Sequence, residues 1–284
     1  MPLEGRGASY GRAQGYMEWA LARVYRKGWP ADLVHAAGLQ PRIHVARHHV
    51  RSARWPRACP PLRLAFASDL HAGPTTHVTL LDDAMRALRM AAPDVLLLGG
   101  DFVFLSSARI SDVAERVASI PAPLGRFGVL GNHDLWADDR AITSSLEGAG
   151  VQMMVNEHAH LPPPFDHVSI CGLDDPWTGR CDPGRALQDA RDYRIVLVHA
   201  PEALVHLGEA PFDLAVCGHT HGGHIALPGG IPIVAPGPLS RRYAHGRFAL
   251  DARRTLLVSR GVGATESPLR WNAEPDVLVI ELSA

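Results

Sequence analysis

At 284 residues the chain has room for one large α/β domain or two small ones, and its apolar fraction of 46% is that of a globular protein with a substantial core. The net charge of −1 carries no nucleic-acid signature, although ten basic and three acidic residues fall in 1–60, so the first 60 residues are near +7 and the remainder near −8. Four scattered cysteines (Cys59, Cys171, Cys181, Cys217) form no CxxC pair, which argues against a disulfide framework and fits a reducing, cytoplasmic compartment. No apolar run approaches the roughly 18 residues of a membrane span, and no secretory signal opens the chain.

Residues 1–15, rich in Gly and Arg, are expected to be disordered. From Tyr16 to Lys27 a helical stripe follows: Tyr16, Met17, Ala20, Leu21, Val24 and Tyr25 share one face, with Arg23, Arg26 and Lys27 elsewhere around it. Together with Trp19, Trp29 and the Arg/His-rich stretch Arg42–Arg57, two readings stand. Residues 16–57 make peripheral contact with the inner face of an anionic membrane, or the helix packs on the main domain and a basic linker follows it.

From Pro60 the pattern alternates. Apolar strands are expected at 62–67, 95–98 and 127–130, with helices over roughly 77–91, 111–119 and 138–148 between and after them. The second half continues with strands at 168–172, 195–198 and 214–217, a Pro/Gly-rich loop over 228–238, and closing strands near 255–259 and 277–282. Near-continuous apolar strands alternating with amphipathic helices imply sheets covered on both faces. We divide the chain into an N-terminal extension, 1–60, and one catalytic domain, 61–284.

Five of the apolar runs end in residues that bind hard or borderline metals. They deliver Asp69 and His71, then Asp101, then Asn132 and His133 within Gly131-Asn132-His133-Asp134, then His199, then His219 and His221. Any one of these is ordinary turn chemistry, since Gly, Asn and Asp populate turns. Five in succession, each leaving a strand at the rim where α/β sheets bind ligands, are not. Carboxylates, imidazoles and one amide oxygen without thiolates suit Mn²⁺, Fe²⁺/Fe³⁺ or Zn²⁺ in a catalytic setting. The set is too large for one ion, and Asp101 is placed to bridge two. No Gly-x-Ser-x-Gly elbow and no P-loop is present, so serine-hydrolase and nucleotide-kinase chemistry have no support.

Over residues 62–283 this order of motifs resembles the calcineurin-like metallophosphoesterases. The Gly-His-Thr-His-Gly-Gly block, Ser259–Gly263 and the tail from Pro268-Leu269-Arg270 are similar to its bacterial YkuE-like phosphodiesterase branch. The resemblance implies a two-sheet α/β sandwich flanked by helices, around a dinuclear centre. It assigns Asp69, His71, Asp101 and His221 to one ion, and Asp101, Asn132, His199 and His219 to the other. His133 becomes a catalytic histidine outside the ligand set. Asp134 is expected to fix the His133 ring by a hydrogen bond. His224, where the branch commonly has Gln, and Arg241 and Arg242 are weaker substrate-binding expectations.

The expected activity is hydrolysis of a phosphodiester or pyrophosphate bond in a small molecule by a metal-bridging hydroxide, two cations roughly 3.5–4 Å apart lowering the pKa of a shared water. Two alternatives accompany it: a membrane-associated pyrophosphatase of the UDP-2,3-diacylglucosamine type, and a non-catalytic scaffold on the same fold.

Overall fold

The computed structural model describes residues 5–7 and 11–284. Two six-stranded sheets lie at its centre. In chain order the elements begin with α1 (Arg12–Val24), α2 (Trp29–Ala36), β1 (His44–Arg51), β2 (Leu62–Ala67), α3 (Val78–Ala91), β3 (Val95–Leu98), α4 (Ile110–Ala118) and β4 (Arg126–Gly128). Next come α5 (Asn132–Trp136), α6 (Asp139–Gly148), β5 (Val151–Met153), β6 (Glu157–His160), β7 (Val168–Gly172), α7 (Pro183–Leu187), β8 (Tyr193–Leu197), α8 (Ala203–Leu207) and β9 (Leu214–Cys217). The chain ends with β10 (Ala226–Leu227), β11 (Ile231–Pro232), α9 (Pro238–Arg242), β12 (Gly246–Ala249), β13 (Thr255–Val258) and β14 (Asp276–Ser283).

One sheet has the order β1-β14-β2-β3-β4-β5 and the other β12-β13-β9-β8-β7-β6. Side-chain alternation along a strand sorts the apolar residues into layers. Leu62, Leu64 and Phe66 on β2, and Val95 and Leu97 on β3, meet Ile195, Leu197, Leu214 and Val216 of the opposite sheet in a central core. Their neighbours Ala65, Ala67, Leu96 and Leu98 turn outward onto α3, α4 and α6, which contribute Leu81, Met85, Leu88, Val113, Val117, Ile142 and Leu146. Cys171, Val196, Val198, Ala215 and Cys217 face outward from the second sheet toward Ala186, Leu187, Ala203 and Leu207 of α7 and α8. This is the expected α/β sandwich, covered by helices on both sides.

β2, β3 and β4 pair in parallel, as do β8 and β9. Each set therefore presents its C-terminal ends at one rim. The candidate ligands leave from these ends.

The beginning of the chain differs from the sequence reading. Arg42–Arg57 is not a linker: within it β1 pairs in parallel with β14 over eight residues, His44 opposite Asp276 through Arg51 opposite Ser283. The expectation of disorder for 1–15 falls in part on residues outside those described. Of the others, the Gly7 amide donates to the Leu135 carbonyl at 2.9 Å and α1 begins at Arg12. The apolar stripe of α1 does not enter the core. Tyr16, Met17, Ala20 and Val24 are exposed, with Leu21 and Tyr25 half-buried.

Candidate metal centre

The turns that deliver the site are held by one another. The Asp69 amide donates to the Gly100 carbonyl and the His71 amide to the Asp101 carbonyl, both at 2.9 Å, so the turns after β2 and β3 form one unit. The Gly218 amide donates to the His199 carbonyl at 2.9 Å, joining the turns after β8 and β9. The sheets are then linked through a side chain: the His219 amide donates to Asp69 Oδ2 at 3.0 Å. Asp69, His71, Asp101, His219 and His221 all have positive φ, between 42° and 68°, a region that side chains with a Cβ occupy reluctantly. Backbone strain of this kind persists where the surroundings enforce it, and it clusters at functional sites. Two glycines make room. A Cβ on Gly131 would collide with Asp101 and the His199 ring, and one on Gly218 with Asp69 and Ser68.

Two groups of buried donors result. The ligand atoms of Asp69, His71 and His221 lie within 4.8 Å of one another, as do those of Asp101, His199 and His219. In the first group His221 Nε2 is 3.4 Å from Asp69 Oδ1 and 3.1 Å from His71 Nε2. In the second, His199 Nε2 is 3.1 Å from Asn132 Oδ1 and 3.0 Å from His219 Nδ1. Asp101 Oδ2 lies between the groups, 3.5 Å from His71 Nε2 and 3.3 Å from His199 Nε2.

The donors and acceptors of this arrangement are unbalanced. His199 Nδ1 is 2.8 Å from the Gly99 carbonyl, which only accepts, so Nδ1 carries the hydrogen of the neutral ring. Its Nε2 lone pair then faces an amide oxygen, a carboxylate and another imidazole. Acceptors converging in a buried space require a cation or an extra proton between them. The charges around the site make the same demand. Burial works against a charged His199, yet Asp101 and Asp69 raise its pKa well above the ordinary imidazole value. Burial likewise opposes ionisation of Asp101, but His199, His133 and His71 hold it below the usual carboxylate range. Asp69, less surrounded, is pushed up to about 6 by burial. His71 and His221 fall well below the usual value, chiefly through burial, and burial followed by His199 takes His219 down to about 3. Neutral imidazoles and a carboxylate bridge are the protonation states a divalent cation selects, and the residues present fit two such ions.

A cavity of about 510 Å³ opens over both groups, lined by Asp101, Asn132, His133, His219 and His221, with Trp136, Trp177, Pro236, Thr265 and Glu266 as outer walls. His133 stands half-buried at its edge, its ring 5.0 Å from that of His71 and 5.1 Å from that of Trp136. Its backbone amide donates to Asp101 Oδ1 at 2.9 Å.

Other polar residues of this region are engaged elsewhere. Asp134 does not hold the His133 ring. Its Oδ1 accepts from the Phe102 amide at 2.8 Å and the Val103 amide at 3.3 Å, and its Oδ2 from the Gly131 amide at 3.0 Å, so it braces the turn carrying Asp101. Burial, and then Asp101, pushes its pKa up to about 8. His224 Nε2 donates to the Ser267 carbonyl at 2.8 Å, tying down a loop, and the residue does not line the cavity. Arg241 donates to the Ile233 carbonyl at 3.0 Å and Arg242 stacks on the Tyr243 ring; neither lines the cavity. Asp174 accepts both arms of Arg6, at 2.7 and 2.8 Å.

Arg270 is the residue of most consequence that the sequence reading left without a role. Its guanidinium is buried, donates to His221 Nδ1 at 2.8 Å, and reaches the carbonyls of Arg260, Gly263 and Ala273. The cavity walls Trp136, Trp177, Thr265 and Glu266 also went unnoticed, since nothing in the local sequence marks them.

Two sheets whose facing rims gather carboxylates, imidazoles and an amide oxygen around a shared aspartate define a metallophosphoesterase. Residues 62–223 match the family profile described as calcineurin-like phosphoesterase, and the chain belongs to that family of phosphoric ester hydrolases. It is 33% identical over 229 residues to phosphodiesterase YaeI of Escherichia coli K12, covering 78% of this chain and 82% of that one. Over 257 residues it is 28% identical to the uncharacterized metallophosphoesterase YkuE of Bacillus subtilis 168, covering 88% and 89% of the two chains. UDP-2,3-diacylglucosamine pyrophosphatase LpxG of Chlamydia trachomatis is 26% identical over 276 residues, covering 77% and 83%.

Proposed function

We propose that this chain is a phosphodiesterase dependent on two divalent cations. Asp69, His71, Asp101 and His221 would hold one ion, and Asp101, Asn132, His199 and His219 the other. The observation that carries this reading is the position of Asp101 Oδ2, within 3.5 Å of an imidazole nitrogen from each group. Mn²⁺, Fe²⁺/Fe³⁺ and Zn²⁺ all accept this mixture of nitrogen and oxygen donors. Bound there, the pair would supply Lewis acidity and lower the pKa of a water at neutral pH.

The chain's own residues then have distinct tasks. Asn132 contributes a neutral oxygen, so the second site carries less negative charge than a carboxylate would give it. His133, at the cavity edge and outside both donor groups, is in reach of a leaving alkoxide and would protonate it. Asp134 keeps Asp101 and Gly131 in register through their backbone. Trp136 and Trp177 wall the cavity and exclude water from the reacting phosphoryl group. The similarity to YaeI supports a diester over a monoester. The catalytic unit would span 61–284, with the 1–60 extension adding β1 to its sheet.

Turnover of bis(4-nitrophenyl) phosphate by chelator-treated protein resupplied with Mn²⁺ tests the reading. Asn132→Ala and His133→Ala should each lower kcat by about a hundredfold or more. Undiminished turnover in either would end it. A lipid-linked pyrophosphate is the second reading, favoured by the similarity to LpxG. A scaffold without catalysis is disfavoured, because the whole donor set is retained.

A further inference from the structure

Beyond the cavity mouth, the hairpin of β10 and β11 exposes an apolar face. Leu227 pairs with Ile231, and the Ile233 amide donates to the Ile225 carbonyl at 3.3 Å, so Ile225, Leu227, Ile231 and Ile233 share one side of the ribbon. Ala226 and Pro232, on the opposite side, are buried. Trp271, 69% exposed, is bridged to Ile225, and Val234, 70% exposed, lies past the end of β11 in the segment leading to the cavity wall at Pro236. Two short strands presenting four branched aliphatics and an indole to water have no intrachain reason to do so. Apolar patches of this kind mark docking surfaces.

The surroundings say which partner fits. From Leu214 to Leu250 the sequence has no Asp or Glu, and it has three arginines, Arg241, Arg242 and Arg247. Arg241 lies against the hairpin through the Ile233 carbonyl. A second apolar and basic element reaches the same mouth. Tyr25, at the end of α1, donates its hydroxyl to the Glu266 carbonyl at 3.0 Å, on the loop that runs from the cavity wall to Trp271. Near it Tyr16, Met17, Trp19, Val24, Trp29 and Leu33 are exposed, interleaved with exposed Arg23, Arg26 and Lys27. Against these cations stand the half-buried Glu18 and the exposed Asp32, Glu266 and Glu274. Aliphatic and aromatic side chains bordered by guanidinium and ammonium groups match the interface of an anionic bilayer, where the apolar parts enter the acyl boundary and the cations meet phosphate. A protein partner seated on both elements would lie across the cavity mouth. A bilayer would instead present its own phosphodiester headgroups there.

We propose that the apolar face of the 225–234 hairpin with Trp271, assisted by α1, docks on an anionic lipid bilayer and opens the cavity at headgroup level. The inference rests on the phosphodiesterase reading only for its substrate, a lipid-borne phosphodiester or pyrophosphate. Docking itself is independent of catalysis.

The test is co-sedimentation of the full chain with vesicles of 30% phosphatidylglycerol in phosphatidylcholine, and with phosphatidylcholine alone. The native protein should partition at least tenfold more into the anionic vesicles, with its tryptophan emission quenched by brominated acyl chains. The double substitution Leu227→Ser, Ile231→Ser should remove at least tenfold of that partitioning while hydrolysis of soluble bis(4-nitrophenyl) phosphate is retained. Should the double variant fail to fold, Val234→Asp, at a more exposed position, replaces it with the same expectation. A native chain that ignores anionic vesicles, or variants that bind as well as native, overturns the proposal. So does a native dimer in light scattering that the variants dissolve, because the face would then join two copies. Vesicle binding without turnover of the soluble diester would sink the catalytic reading and leave docking intact.

Discussion

Arg270→Lys keeps a cation and removes a fork. In the native protein Nε reaches the Gly263 carbonyl at 3.0 Å, Nη1 reaches those of Arg260 and Ala273 at 2.9 and 3.2 Å, and Nη2 meets Gly263 and His221 Nδ1. These acceptors are spread around a planar group, and an ammonium on a single carbon stem cannot follow them. Three of the four partners would lose their donor, at about 1 kcal/mol each for buried acceptors, so the loss is roughly 3 kcal/mol. For a chain of this size that is a fall in Tm of roughly 6 °C. The second effect is on the site. Arg270, which can only donate, holds His221 Nδ1 as an acceptor and so fixes the ring's orientation and tautomer, with the hydrogen of the neutral ring on Nε2; without it the ring is free to turn and the affinity for Mn²⁺ should change. Calorimetric titration of chelator-treated protein with Mn²⁺ reads that term, and a melting curve reads the first. Arg270→Met separates fork from charge: it should be at least as unstable. If Arg270→Lys melted with the native protein and took up Mn²⁺ with native affinity, the guanidinium would be a bystander and the reasoning about His221 wrong.

Asp101→Asn should retain the hydrogen bond from the His133 amide while turning an NH₂ donor toward His71 and His199. Metal content measured by mass spectrometry should fall by at least one ion per chain, with kcat/KM down at least about a thousandfold, or ~4 kcal/mol. Asp175, outside the proposed ligand set but within electrostatic reach of His199 and Asp101, offers a pH test. Its Oδ2 accepts from the amides of Trp177 and Thr178, and burial pushes its pKa up to about 6. A carboxyl raised in the folded state binds more protons there than in the unfolded chain, so stability is lost as pH rises from about 4 through 6. Asp175→Asn, its amide oxygen replacing Oδ2, should therefore be more stable at pH 8 by up to about 3 kcal/mol and nearly neutral at pH 4, read by urea unfolding of chelator-treated protein. Equal gains at both pH values would contradict this. The thiols give a fourth test: burial raises Cys171 to about 12 and Cys217 well above its usual value. Iodoacetamide at pH 8 should leave both unlabelled in the native chain and modify them only after denaturation, as read by peptide mass mapping.

The candidate metal-binding positions were legible because the fold puts a distinctive chemistry at the end of each apolar run. Val95–Leu98 and Leu214–Cys217 are buried throughout and Leu62–Ala67 at every position but Arg63, so they read as apolar segments, and the polar residues after them must lie at the rim. What the sequence concealed depends on contacts between distant parts of the chain. His44-Val45-Ala46-Arg47-His48-His49-Val50-Arg51 has neither the apolar content nor the alternation of a core strand; it is an edge strand that exists because β14 is available to pair with it. Arg270 has no local pattern at all, since its acceptors come from 221, 260, 263 and 273.

Asp134 shows a different kind of concealment. Adjacency to His133 suggested that the carboxylate holds the ring, but both residues lie in α5, where successive side chains diverge by about 100°. That rotation sends the imidazole toward the cavity and the carboxylate into the protein, onto the amides of Phe102, Val103 and Gly131. The turn carrying Asp101 is thus held through its own backbone by a neighbour of His133. Any substitution at Asp134 must act on Asp101 as well as on His133, and the two effects separate by readout. Loss of bound metal reports the Asp101 turn, whereas slowed turnover with both ions retained reports His133.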